Sequence, residues 1–259
     1  MTGSLITTVA SGGVVGFMLG LLGGGGSILA TPLLIYVVGV TQPHIAIGTG
    51  ALAVSVNAFA NFASHATRGH VWWRCATIFA VLGSIAAVGG STLGKAMDGG
   101  HLLFLFGLLM LVIATLMLRG RKNVDVPTRP VDTRMCVTTS AVAVISGMAS
   151  GFFGIGGGFL IVPGLMLATG MPMISAIGSS LLAVGAFGLA TAVNYALSGM
   201  IDWPLAAEFI AGGVGGGLLG MLLATRLAVY KNFLNRIFAV LIYVVAGYIL
   251  YRSVADFIS

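Results

Sequence analysis

The sequence predicts an all-α, polytopic membrane protein built from two homologous repeats of opposite orientation. Each repeat is expected to hold one broken or re-entrant glycine-rich helical block and three transmembrane helices. Three observations carry this prediction: long apolar blocks in a chain that is 58% hydrophobic and 7% charged, a glycine pattern that recurs 131 positions later, and basic residues sorted between the loops. A water-facing domain covers itself with about 25% charged residues, so lipid has to be the solvent here. A mean hydropathy of +1.09 agrees. The net charge of +6 would point to nucleic acid in a soluble protein. In a membrane protein it is the ordinary excess of cytoplasmic Lys and Arg, and nucleic acid is not an expected partner.

The apolar blocks are Leu5–Val38, Ile45–Ala63, Cys75–Gly94, Leu102–Leu118, Cys136–Ala168, Ala176–Leu197, Leu205–Thr225 and Phe233–Tyr251. Six of them lie near the ~20 residues that cross a bilayer as a helix. The blocks at Leu5 and Cys136 each exceed thirty residues. A straight helix of that length rises about 50 Å against a hydrocarbon core of about 30 Å. Each also holds a glycine run and then a proline, so a broken helix or a hairpin of shorter segments is expected. The longest polar stretch, RGRKNVDVPTRPVDTR, divides the chain into a first repeat (1–118), a cytoplasmic linker (119–134) and a second repeat (135–259). The start, MTGSLITTVASGG, has no basic n-region and runs on into the first block, so no cleavable leader is expected. Cys75 and Cys136 lack metal-ligand spacing and are too few for a disulfide framework.

The two over-long blocks match each other. Gly16, Gly20, Gly23, Gly25, Gly26 and Pro32 recur at a fixed offset of 131 as Gly147, Gly151, Gly154, Gly156, Gly157 and Pro163. After a one-residue slip the offset is 130: Ala46-Ile47-Gly48-Thr49 faces Ala176-Ile177-Gly178-Ser179, Gly69 faces Gly199, Trp73 faces Trp203, and Gly83 and Gly90 face Gly213 and Gly220. Chance matches of glycine are easy in this chain; a fixed pattern that includes a proline and then a tryptophan is a tandem duplication.

The twelve Lys and Arg residues all lie in or beside the connections. If each long block returns to the side it started from, ten of them share one side and only Lys95 and Arg252 lie on the other. That arrangement satisfies the positive-inside bias far better than a single crossing per block. It gives each repeat an odd number of crossings and so inverts the halves, with both termini and the Lys95 loop outside and the linker in the cytoplasm.

Inverted repeats with broken helices place substrate near the bilayer midplane, where freed N–H groups at the start of a half-helix point at an anion. The candidate substrate-binding breaks are Gly24-Gly25-Gly26-Ser27 and Gly156-Gly157-Gly158. Their alternative role is close helix packing. Neutral donors within the spans add Asn57 and Asn61, four apart on one helix face, Asn194, and the repeat-matched pair Thr49 and Ser179. Each of these could equally bond helix to helix. Glu208 in WPLAAEFIAGG is the one carboxylate inside an apolar block. It is a candidate for proton coupling, against the plainer role of snorkelling to the interface. His65, Arg68, His70, His44 and His101 sit at span ends and read as topology signals, and Trp72, Trp73 and Trp203 as interfacial belt residues. No GxxxxGK[ST] loop supplies an ATP motor, and no His, Asp or Glu cluster points to a metal or a hydrolytic centre. No cofactor is expected, and no enzyme.

The doubled signature GFMLGLLGGGGSILATP and GMASGFFGIGGGFLIVP, with AIGTG and AIGSS after it, resembles the sulfite exporter TauE/SafE family over essentially the whole chain. The resemblance implies a multi-pass permease of the bacterial or archaeal inner membrane that moves small sulfur-containing anions such as sulfite, thiosulfate or sulfonates. It also implies substrate contacts at Gly23 to Gly26 with Thr49, and at Gly154 and Gly156 to Gly158 with Ser179. Gly50 follows Thr49 where Ser180 follows Ser179, so the two sites need not be equal. The expected function is a secondary transporter working by alternating access at the repeat interface. An anion channel and a permease for another small organic anion are the alternatives. The expected partners are the small anionic substrate, the lipid bilayer and, as an open alternative to the monomer, a second copy of the chain in a homodimer.

Overall fold

The structure is a computed structural model that describes residues 2–67, 69, 71–118, 133–156, 158–171, 173–226 and 231–258. The described chain is helical throughout. Helix α1 (Thr2–Leu22) stops at Gly23, whose φ of 75° and ψ of −146° lie outside the reach of a side-chain-bearing residue. The chain turns there into a short helical return made of a 3-10 segment (Gly24–Leu29), one α turn, α2 (Ala30–Leu33), and a π turn (Leu34–Val38) closed by left-handed Gly39. Then follow α3 (Pro43–Thr67), α4 (Trp73–Ala96) and α5 (Gly99–Leu118). The second repeat copies the order: α6 (Thr133–Phe153), a break with positive φ at Gly154 (67°) and Gly156 (65°), α7 (Gly158–Thr169), α8 (Met173–Ala196), α9 (Trp203–Arg226) and α10 (Lys231–Ile258).

The two long blocks are therefore hairpins. A Cβ on Gly26 would press into the backbone of Met18 and Leu19, so the return runs back along α1. A Cβ on Gly164 would meet the side chain of Val142, so α7 runs back along α6. With 12 residues, α7 rises about 18 Å and falls short of a 30 Å core. The six helices α3, α4, α5, α8, α9 and α10 are long and apolar enough to cross a membrane, and they match the six ordinary blocks of the sequence. Helix α6 begins at Thr133; residues 119–132 of the linker lie outside the described residues, as do Arg68 and His70.

The halves are intertwined rather than side by side. Helix α1 packs on α9, and its repeat mate α6 packs on α4, the mate of α9. The self-paired contacts are α3 with α8 and α5 with α10. Glycines make the first two pairings possible. A Cβ on Gly16 would overlap the Gly213 carbonyl and one on Gly20 the Gly217 carbonyl; a Cβ on Gly147 would overlap the Gly83 carbonyl and one on Gly151 the Ala87 carbonyl. These contacts rise in step along both partners, so α1 runs parallel to α9 and α6 parallel to α4. Backbones at such distance exchange dispersion contact with no side chain between them, which is how helices associate where lipid removes the hydrophobic drive. The repeated glycines thus divide their work: Gly16, Gly20, Gly147 and Gly151 are contact surfaces, while Gly23, Gly154 and Gly156 are breaks.

At the centre lie α3 and α8, with 67% and 72% of their most apolar window buried against 33–39% for the other four spans. The outer helices turn Leu116, Leu222 and Val244 outward, as a lipid-facing surface requires. Trp73 and Trp203 stand exposed at the starts of α4 and α9.

Candidate substrate site where the repeats cross

The repeat axis is marked by residues that meet their own counterparts. Ser55 on α3 donates to the carbonyl of Gly185 on α8, 130 positions away, at 2.7 Å. A Cβ on Gly156 would touch Val54 and Val184, another such pair, at 3.0 and 3.1 Å. The second glycine break therefore sits on the α3–α8 crossing. The 3-10 return of the first repeat packs against α7 there, which brings both breaks to the middle of the molecule. Each break also rests on the other repeat's Ala-Ile-Gly segment: a Cβ on Gly23 would lie 3.0 Å from Ile177, and one on Gly154 would overlap Ile47.

The matched hydroxyls have a matched use. The backbone N–H of Asp202 donates to the Thr49 hydroxyl at 3.1 Å, and that of Trp72 donates to the Ser179 hydroxyl at 3.1 Å. Both acceptors are fully buried. Asp202 and Trp72 are themselves repeat mates, and each stands immediately ahead of a helix, α9 or α4. Thr49 and Ser179 thus supply orphan N–H groups at these helix starts with an acceptor from the opposite half.

The asparagines of α3 face α9. Asn57 follows Val54 by one turn on the same face. It is 0% exposed, its Nδ2 and Oδ1 both lack a partner, and it presses on Gly213, while Asn61 lies over Gly217 and donates to the Asn57 carbonyl at 2.9 Å. A buried amide with neither atom paired costs about 1–3 kcal/mol, which marks this as a place where something else completes the bonding. The repeat mate of Asn57 is Phe187, which fills the corresponding position against Gly83 and stacks on Phe79 at 5.9 Å. The mate of Asn61 is Thr191, whose buried hydroxyl is likewise unpartnered. Buried, unpartnered hydroxyls also occur at Thr31 and Ser150.

Two predicted residues stand apart from this centre. Asn194, near the end of α8, accepts from Lys95 Nζ through its carbonyl (2.9 Å) and side-chain oxygen (2.8 Å) and donates to Ser91 at 2.6 Å. Ser198 takes the third Lys95 bond at 2.8 Å, and the ammonium lies 5.8 Å from the Tyr195 ring centroid. Asn194 therefore clamps a cation at one end of the molecule. At that end an open pocket of about 380 Å³ is lined by Thr41 to His44, Asp98 to Gly100 and Met200. Asp98 there caps α5, and the Gly100 N–H, followed by His101, holds its carboxyl below the usual range. Glu208, partly buried, sits about a turn and a half into α9. Gly24, Gly25, Gly26 and Ser27 form the 3-10 return, with Ser27 fully buried, and Gly158 opens α7. Gly157 lies outside the described residues. What the sequence did not single out is the axis itself: Ser55, Gly185 and the Val54–Val184 pair belong to no motif, and only the 130-residue offset joins them. Among the described residues no group of three or more metal-ligating side chains occurs.

Comparison with known proteins assigns the chain to a family. The family profile described as "Sulfite exporter TauE/SafE" matches residues 8–249. A "Probable membrane transporter protein" of Xylella fastidiosa (strain Temecula1) is 60% identical, covering 99% of this chain and 98% of its own length. The "Probable membrane transporter protein YunE" of Bacillus subtilis (strain 168) is 27% identical, covering 84% of this chain and 87% of its own. A similarly named protein of Methanocaldococcus jannaschii is 27% identical over 60% of each chain. No solved structure matches the chain. With a family match across nearly all of its length and six membrane-spanning helices around two broken hairpins, the chain belongs to the TauE/SafE sulfite exporter family of multi-pass membrane transporters.

Proposed function

We propose that this chain is a secondary transporter for a small sulfur-containing oxyanion such as sulfite, thiosulfate or a sulfonate, held where the two glycine breaks meet α3. The observation that carries the reading is Asn57, a fully buried and unpartnered amide one turn from the axis residue Val54. Amide and hydroxyl donors in a dry site suit an oxyanion, and the N-terminus of α7 adds N–H groups of the same polarity. Alternating access follows if the repeats are inverted. The parallel runs of α1 with α9 and of α6 with α4 support inversion, because each hairpin then enters the membrane from the side on which the other half's fourth helix starts. Cysteine labelling from each side tests this: the Lys95 loop and the 119–132 linker should be labelled from opposite faces.

The transport reading is tested with the full chain in proteoliposomes. Saturable flux that one sulfur oxyanion blocks for another is expected; rapid, unsaturable conduction would make the protein a channel instead. Glu208 is the candidate proton carrier. Glu208→Gln should abolish flux driven by a pH gradient while leaving substrate exchange intact, and an unchanged response to the gradient removes it from that role.

A further inference from the structure

Eighteen polar side chains are buried among the described residues, and every one is Ser, Thr or Asn. No Lys, Arg, His, Asp or Glu is among them. The nearest cation candidates are occupied or distant. Lys95 spends its three N–H donors on Asn194 and Ser198. His44 and His65 flank Asn57 at thirteen and eight residues along α3, about 20 and 12 Å. Glu208 lies five residues from Gly213, the glycine that Asn57 presses on, about 7.5 Å along α9. It brings negative charge rather than positive.

This neutrality constrains the cargo. The cost of taking an ion out of water grows with the square of its charge, so a dianion costs about four times a monoanion. The return from neutral dipoles such as Asn57 Nδ2, the buried hydroxyls and helix N–H groups grows only linearly with charge. A site without a buried cation therefore gains on single charges and loses on double ones. Asn57 adds a second constraint: its unpartnered Oδ1 needs a donor as much as its Nδ2 needs an acceptor. A singly charged anion that still carries an O–H satisfies both atoms, whereas a sulfonate, which has acceptor oxygens only, meets the charge constraint and satisfies Nδ2 alone. We infer that the buried path accepts monoanions, of the hydrogen-sulfite or sulfonate kind, and rejects dianions such as sulfate, thiosulfate and fully deprotonated sulfite. The inference rests on the oxyanion reading above and narrows it.

The full chain in proteoliposomes, at fixed total anion and between about pH 6 and about pH 9, separates the two. Sulfite flux should fall roughly tenfold per pH unit above its second ionisation, following the hydrogen-sulfite fraction. Methanesulfonate, a monoanion throughout, should stay level, and thiosulfate and sulfate should be slower by about a hundredfold or more. Dianions moving as fast as methanesulfonate would overturn the inference and leave the transport reading standing. A parallel fall for methanesulfonate would also overturn it. The titration would then belong to the protein, to His44 or His65 on α3, Tyr36 on the return, Asp202 just ahead of α9, Glu208 on α9, Tyr195 on α8, His101 on α5 or Lys95 on α4; α1 contributes no ionisable side chain. Movement of no anion at all would remove both.

Discussion

The crevice between α3 and α9 and the crevice between α8 and α4 share one backbone arrangement and differ in what fills it. In the second, Phe187 lies on Gly83 and stacks on Phe79, an apolar contact, although the Thr191 hydroxyl one turn further on is unpartnered. In the first, Asn57 takes the place of Phe187 on Gly213, and its amide finds no partner. Phe209, the mate of Phe79, is buried beside α1. Duplication supplied two equivalent places, and at the position of Asn57 and Phe187 one is polar and incomplete and the other apolar. On the proposed reading, fold and function are divided between copies: a position that satisfies itself contributes stability, and one that does not is available to a ligand.

The largest effect should come from what both crevices share. Gly16→Val and Gly147→Val each drive a side chain into an opposing carbonyl, and overpacking of backbone against backbone should cost more than about 3 kcal/mol. Loss of monodisperse protein by fluorescence size-exclusion is expected for both; survival of one alone would show that the two pairings are unequal. The next effect separates the crevices. Phe187→Asn empties an aromatic position and buries an unpaired amide, a loss of about 3–5 kcal/mol in thermal unfolding. Asn57→Leu removes an unpaired amide, so it should leave stability equal or raise it by about 1–3 kcal/mol, while oxyanion flux falls at least about tenfold. A destabilised Asn57→Leu would show that the amide is bonded in the membrane and would equalise the crevices. The smallest effect tests their symmetry: Thr49→Val and Ser179→Ala each delete one cross-repeat acceptor and should cost about 1 kcal/mol apiece. A much larger loss of flux than of stability in either variant would place that hydroxyl on the substrate.

Much of the fold was legible because its causes are local or periodic. Block length against bilayer thickness gave the six spans. The glycine run and proline in a block too long for one crossing indicated a broken helix or a hairpin, and the fold took the hairpin. The offset of 131 gave the repeats. The paired hydroxyls were recognisable as a pair by their repeat positions, whereas their shared use, accepting from the opposite half's helix start, needed both halves assembled. Asn194 had the right chemistry for a substrate contact, but it lies at the membrane end of α8 and holds Lys95. Its address depends on which helices lie side by side, and that is not written in its neighbours. The sorting of glycines into breaks and contact surfaces was equally hidden, since Gly20 and Gly23 sit three residues apart in one motif.

The sequence by itself determined the solvent, the span count, the duplication and the positions where the helix must break, because hydrophobicity, length and glycine act on the chain residue by residue. Only the tertiary structure decided that α1 pairs with α9 and α6 with α4, that both breaks converge on the α3–α8 crossing, and that Asn57 is left without a partner. Those facts concern what lies opposite a residue, and in this fold the residue opposite belongs to the other repeat.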